Sequence, residues 1–209
     1  MTTIGRWSPN KVRNKIIDAQ WVSETRYALE LVKPSSVVVT GGGSESATIS
    51  SLGSVEFSAA ATLSLNGVFS SGYDNYMVVM WQYGGGASSY AGYYRLRSSG
   101  SDATGSNYTH QYLSANNTSV SGARTSSTTY GLGFSLGYDS ELGSALYVYG
   151  PALAQPTASR SAAMAAASLG VAFEDAASTH SLSTAYDGLT LIPGGDEITG
   201  RVAVYGMRG

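Results

Sequence analysis

One nucleophile pattern stands in the chain. Gly133-Phe134-Ser135-Leu136-Gly137 fits Gly-x-Ser-x-Gly, with Asp175 and His180 downstream in the order of an α/β-hydrolase triad. That motif works only where a strand turns sharply into a helix and holds the serine hydroxyl clear of the backbone. Here the serine falls midway along an alternating stretch that sets Tyr130, Leu132, Phe134, Leu136 and Tyr138 on one face. The spacing predicts a plain strand, and a Ser/Gly-rich composition supplies the match.

The remaining reactive types are sparse. His110 and His180 are the two histidines and there is no cysteine, so neither a His/Cys zinc set nor a disulfide framework can be assembled. Glu174-Asp175 and Asp196-Glu197 are adjacent pairs, which strand alternation or a turn splays apart, whereas glycosidase carboxylates must face each other across a cleft. Asp74, Asp139 and Asp187 lack calcium-loop spacing. The glycine runs at 41–43 and 84–86 have no Lys-Ser/Thr and no following helix to make a phosphate loop. The residues predict no catalytic group, no metal and no cofactor.

Aromatic residues beside small polar ones form the positive signal. Tyr90, Tyr108, Asn116 and Asn117 sit in or beside Gly/Ser/Asn-rich stretches, a combination suited to a contact surface or to stacking on sugar rings. The same tyrosines also suit a core or an interface between copies.

Positioning such groups falls to short strands. Val55-Glu56-Phe57 and Thr62-Leu63-Ser64-Leu65 alternate, the latter running into the hairpin-type signal Asn66-Gly67. Tyr76 to Tyr83 is an almost unbroken apolar run, which predicts a central strand covered on both faces and a buried Trp81. Leu146 to Tyr149 alternates before Gly150-Pro151. Residues 160–169 have helical propensity but strand surroundings, and Gly188 to Tyr205 reads as a closing hairpin. Recurrent turn signals and the absence of a βαβ rhythm predict an antiparallel all-β sandwich or jelly roll.

Composition divides the chain. Residues 1–34 carry six cations against three acids, a balance of +3, while the remainder carries six arginines against eleven acids. Residues 1–35 therefore read as a basic docking arm, helical over roughly 9–20, with Trp7, Lys11, Arg13, Lys15, Ile16 and Trp21 as its contact residues. Residues 36–51 read as a Gly/Ser-rich connection, and 52–209 as the β-domain. Charged residues make up only 12% of the chain, about half the usual share, which predicts an outer surface partly hidden against sister subunits. A balance of +3 in the arm is too small for a nucleic-acid surface. No apolar run is long enough to span a bilayer as a helix and no secretory signal is visible, so the expectation is a soluble product made in a cytoplasm.

Several separate stretches carry a family resemblance: Leu65-Asn66-Gly67-Val68-Phe69, Tyr73-Asp74-Asn75-Tyr76 with the strand after it, and Arg95-Leu96-Arg97 before Ser-Gly-Ser-Asp. Tyr149-Gly150-Pro151-Ala152-Leu153-Ala154-Gln155-Pro156, Asp187-Gly188-Leu189-Thr190-Leu191-Ile192-Pro193 and Gly200-Arg201-Val202-Ala203-Val204-Tyr205-Gly206 complete the set. Together they resemble the jelly-roll module of tailed-bacteriophage virion appendages: minor tail proteins, tail fibres and head fibres. The resemblance covers the β-domain and not the arm. It implies a trimeric, non-enzymatic structural protein of the virion. The arm would join other virion subunits, and the loops would be free to contact host-surface glycans. A capsid decoration or head-fibre role is the first alternative, and a polysaccharide depolymerase the second.

Overall fold

The computed structural model describes residues 29–84, 90–116, 118–136, 141–167 and 170–208. The arm residues Trp7, Lys11, Arg13, Lys15, Ile16 and Trp21, and the helix expected over 9–20, lie outside them. Among the described residues there are strands and turns and no helix.

The first strands in order are β1 (Glu30–Val32), β2 (Ser36–Thr40), β3 (Ser46–Ile49), β4 (Val55–Ala60) and β5 (Thr62–Asn66). Then come β6 (Asn75–Gly84), β7 (Tyr90–Ser98), β8 (Ser101–Asp102), β9 (Tyr108–Asn116) and β10 (Ser119–Thr128). The last are β11 (Gly131–Leu136), β12 (Glu141–Tyr149), β13 (Thr157–Ala167), β14 (Gly170–His180), β15 (Gly188–Pro193) and β16 (Ile198–Met207). All pairings are antiparallel. The larger sheet runs β10-β9-β14-β13-β12-β6-β16-β4-β3, with β1 sharing one edge of β16 with β4. The smaller runs β11-β7-β15-β5-β2, with β8 on β7. Their facing sides enclose one core, so the fold is an antiparallel β-sandwich.

Three sequence expectations change at this level. Residues 36–51 are more than a Gly/Ser-rich connection: they hold β2, which pairs with β5, and β3, which pairs with β4, with Gly41 to Gly43 making the corner between the sheets. Residues 30–32 belong to the sandwich through β1, so a separate arm ends before Glu30. The bend after Asn66-Gly67 and the expected closing hairpin are both inter-sheet crossings. Asn66-Gly67 is a real turn, with Gly67 at φ +67°, but the next strand, β6, lies in the other sheet; likewise β15 and β16 occupy different sheets. A turn signal fixes where a chain bends, while the partner of the following strand is set by which face must be buried.

One packing detail shows how tightly the sheets close. A Cβ on Gly92 would lie 2.0 Å from the Phe134 ring, so only glycine lets β7 pass under that side chain. The slip in β7–β11 register between Leu132 and Phe134 falls opposite this point.

Candidate functional site

The hydrolase pattern dissolves in three dimensions. Ser135 lies within β11, a strand with no helix after it among the described residues. Asp175 and His180 stand five apart on β14, so strand alternation sends them to opposite faces. The Asp175 carboxylate accepts from Arg160 Nε at 3.0 Å and Nη2 at 2.5 Å on the outside, and these bonds hold its pKa below the usual value. His180 is fully buried, with Nδ1 3.1 Å from the Tyr186 hydroxyl. Glu174, on the inner face, has its carboxyl pushed up by burial and points away from Asp175. Glu197 instead takes the Gly42 amide.

His110 and His180 are buried, and His110 Nδ1 and His180 Nε2 have no hydrogen-bond partner. Burial lowers the pKa of each. Among the described residues no three His, Asp or Glu side chains converge as a metal site would require.

Tyr108 is also corrected. It is a core residue rather than a ligand-contact residue: it is fully buried, its hydroxyl accepts from the Leu96 amide at 3.0 Å, and its ring stacks edge-on against His180 at 4.4 Å. Tyr90 begins β7 and Asn116 ends β9, but their side chains, like all of Asn117, lie outside the described residues. The predicted contact loops are therefore not brought together into a site by the described structure.

A site emerges where none was expected, on the outer face of the larger sheet. β6 is central, between β12 and β16, but only its even-numbered positions face the core. Tyr76, Val78, Met80 and Gln82 point inward, leaving Val79, Trp81 and Tyr83 on the outside, with Trp81 49% exposed. This overturns the reading of Tyr76 to Tyr83 as covered on both faces within one copy. From Trp81 a row of outward side chains crosses the sheet: Trp81 faces Arg201, Arg201 faces Glu56, and Glu56 faces Thr48. Arg201 Nη2 donates to Glu56 Oε1. Ser46, Ser58 and Thr199 flank the row, and the whole borders a depression of about 620 Å³. On the other side of Trp81, facing it across β12, is Gly143, where an added Cβ would meet nothing within 4 Å. One flank of the indole is left open.

An irregularity in strand pairing borders the depression. Pairing of β16 with β4 slips between Ile198 and Gly200, and on the β4 side Ala59 adopts φ +47°, a conformation non-glycine residues rarely take. The Ala59 amide donates to Thr199 Oγ1 at 3.2 Å, which anchors the bulge.

Farther along the same outer face the surface is apolar. Leu113, Val120, Met164 and Phe173 are 57%, 76%, 65% and 52% exposed. Phe173 lies opposite Met164 on one side and Ala115 on the other, and Ala115 lies opposite Val120, so three of the four share one cross-strand row. Leu113, two residues before Ala115, adjoins it.

No protein-family model, curated protein or solved structure matches the chain.

Proposed function

We propose that this chain is a structural protein of a tailed-bacteriophage virion, a non-enzymatic tail appendage that works as a homotrimer built on a jelly-roll version of this sandwich. The observation that carries the reading is the apolar outer row of Val120, Phe173 and Met164 with Leu113 beside it, on a folded domain with few charges. Large apolar side chains on a flat sheet face in a low-charge protein suit burial between copies. Support also comes from the stretches that resemble appendage modules. Residues 1–28, which hold five cations against two acids, are the segment available to join another virion subunit.

Immunogold labelling of intact particles tests this directly, with gold on the tail expected. Gold on the capsid would favour the decoration or head-fibre role, and no gold would remove the virion reading. A chain lacking residues 1–28 is expected to form trimers yet stay off particles; its normal incorporation would overturn the docking role. The depolymerase alternative predicts new reducing ends when host envelope polysaccharide is incubated with the chain, and none are expected.

A further inference from the structure

We propose that the depression bordered by Trp81, Arg201, Glu56, Thr48, Ser58 and Thr199 is a saccharide-binding site with the Trp81 indole as its stacking platform. This deepens the proposed function by assigning the contact surface of the appendage, and rests on it for the biological setting.

Four observations lead here. A half-exposed indole on the central strand of a sheet leaves a large apolar face in water, and such a ring is well suited to the C–H face of a pyranose. The outward side chains around it are hydrogen-bonding groups, four Ser and Thr hydroxyls, a carboxylate and a guanidinium, while Phe57, which also lines the depression, is buried in the core. Carboxylate and guanidinium neutralise each other through one bond from Arg201 Nη2 to Glu56 Oε1. Oε2 of Glu56 and the other guanidinium N–H groups remain for a ligand's hydroxyls, and no net charge favours an anion. The volume of about 620 Å³ is that of a small-ligand cleft, roughly 300–1,000 Å³. Finally, the strained Ala59 and the bulge adjoin Ser58 and Thr199 at the rim, the kind of local irregularity that collects at binding sites.

The chemistry selects the ligand class. A phosphate or nucleotide would need an unpaired cation, and Arg201 is already paired. An apolar peptide would take the ion pair and the rim hydroxyls out of water without replacing the hydrogen bonds they make to it. A neutral or weakly polar sugar satisfies both the ring and the rim.

The test uses the full chain on an array of oligosaccharides built from glucose, galactose, mannose, rhamnose and N-acetylhexosamines, followed by calorimetric titration of whichever binds. Trp81→Ala is expected to weaken binding by about tenfold or more and Trp81→Phe to retain most of it. Glu56→Gln is expected to weaken it, and Leu52→Ala, in an exposed turn elsewhere, to leave it unchanged. Unchanged circular dichroism and melting temperature keep these readings separate from misfolding. Failure of the native chain to bind any sugar on the array, or undiminished binding by a folded Trp81→Ala, would overturn the proposal, as would selective retention of an oligonucleotide instead. A blank array leaves the virion assignment standing, and absence from particles leaves a positive array standing, so the two can fail separately.

Discussion

The two ends of the sandwich are built on opposite plans. Where β4, β6 and β16 face β5 and β15, the interior is apolar but for Gln82: Val55, Phe57, Leu63, Leu65, Val78, Met80, Leu189, Leu191, Val202 and Val204 are all buried. Under β13, β14 and β9 the inward positions hold Thr157, Ser159, Ser161, Ser178, His110 and His180 instead. The large aliphatic and phenyl side chains of those strands point the other way, as exposed Met164, Phe173 and Leu113, while Tyr108, Ala163 and Ala176 stay inside. One end gains its stability from burying hydrocarbon, about 25 cal/mol per Å². The other relies on hydrogen bonds such as Tyr94 to Ser159 at 2.7 Å, and Leu132 N–H to Ser178 Oγ at 3.1 Å. Each such bond nets only about 0.5–1.5 kcal/mol. The difference teaches that a sheet can be inverted over half its width, small polar residues inside and large apolar ones outside, if something else covers the outer face.

Mutations should separate the ends, and the largest effects belong to the apolar one. Leu65→Ala and Leu191→Ala are each expected to cost about 2–5 kcal/mol in urea unfolding, because neither cavity can collapse between two sheets. Ser159→Ala, at the polar end, should cost less, about 1–3 kcal/mol, by removing a partner of the buried Tyr94 hydroxyl. Equal losses at both ends would erase the distinction.

Acid sharpens the comparison further. Burial holds the pKa values of His110 and His180 below the ordinary value, so the folded state keeps them neutral while the unfolded chain protonates below about pH 6.5. The unfolded state then binds more protons, and stability falls as pH drops through that region. The urea midpoint should decline between pH 7 and 5, and a folded His180→Phe variant should flatten the decline. At the alkaline limit the sign reverses. Burial pushes Tyr94 up to about 12 and raises Tyr108 as well, so stability is full below about pH 10 and is lost above it as unfolded tyrosines ionise.

The smallest stability effect is expected at Trp81. Trp81→Ala should cost about 1 kcal/mol or less, since the ring is half in solvent and fills no cavity. A loss of several kcal/mol would mean the ring is covered in the working protein.

Much of the fold was legible because period two is a property of the backbone. Alternation in Val55 to Phe57, Leu146 to Tyr149 and Ile198 to Tyr205 predicted strands that the structure contains, and residues 160–167 proved to be strand against their helical propensity. What alternation does not encode is which phase faces inward once polarity stops marking it. Gln82 is buried and its neighbour Trp81 exposed, the reverse of what hydropathy suggests. The same inversion hid the outward Met164 and Phe173. The candidate site went unread for a further reason: it joins Thr48 and Glu56 to Trp81 and the distant Arg201 across four strands, through a register that no local spacing reveals. Tyr108 was misplaced because a loop-like neighbourhood of Ser, Gly and Asn borders it, while the residue itself opens β9 and turns into the core.

The central claim is that copies of this chain cover the apolar outer face of the polar-cored end. Sedimentation velocity on the full chain at micromolar concentration tests it most directly, with Phe173→Arg and Met164→Asp measured beside the native sequence. A native trimer that both substitutions convert to folded monomer is the result expected. A native chain that sediments as a stable monomer, or a trimer indifferent to both substitutions, would contradict the account.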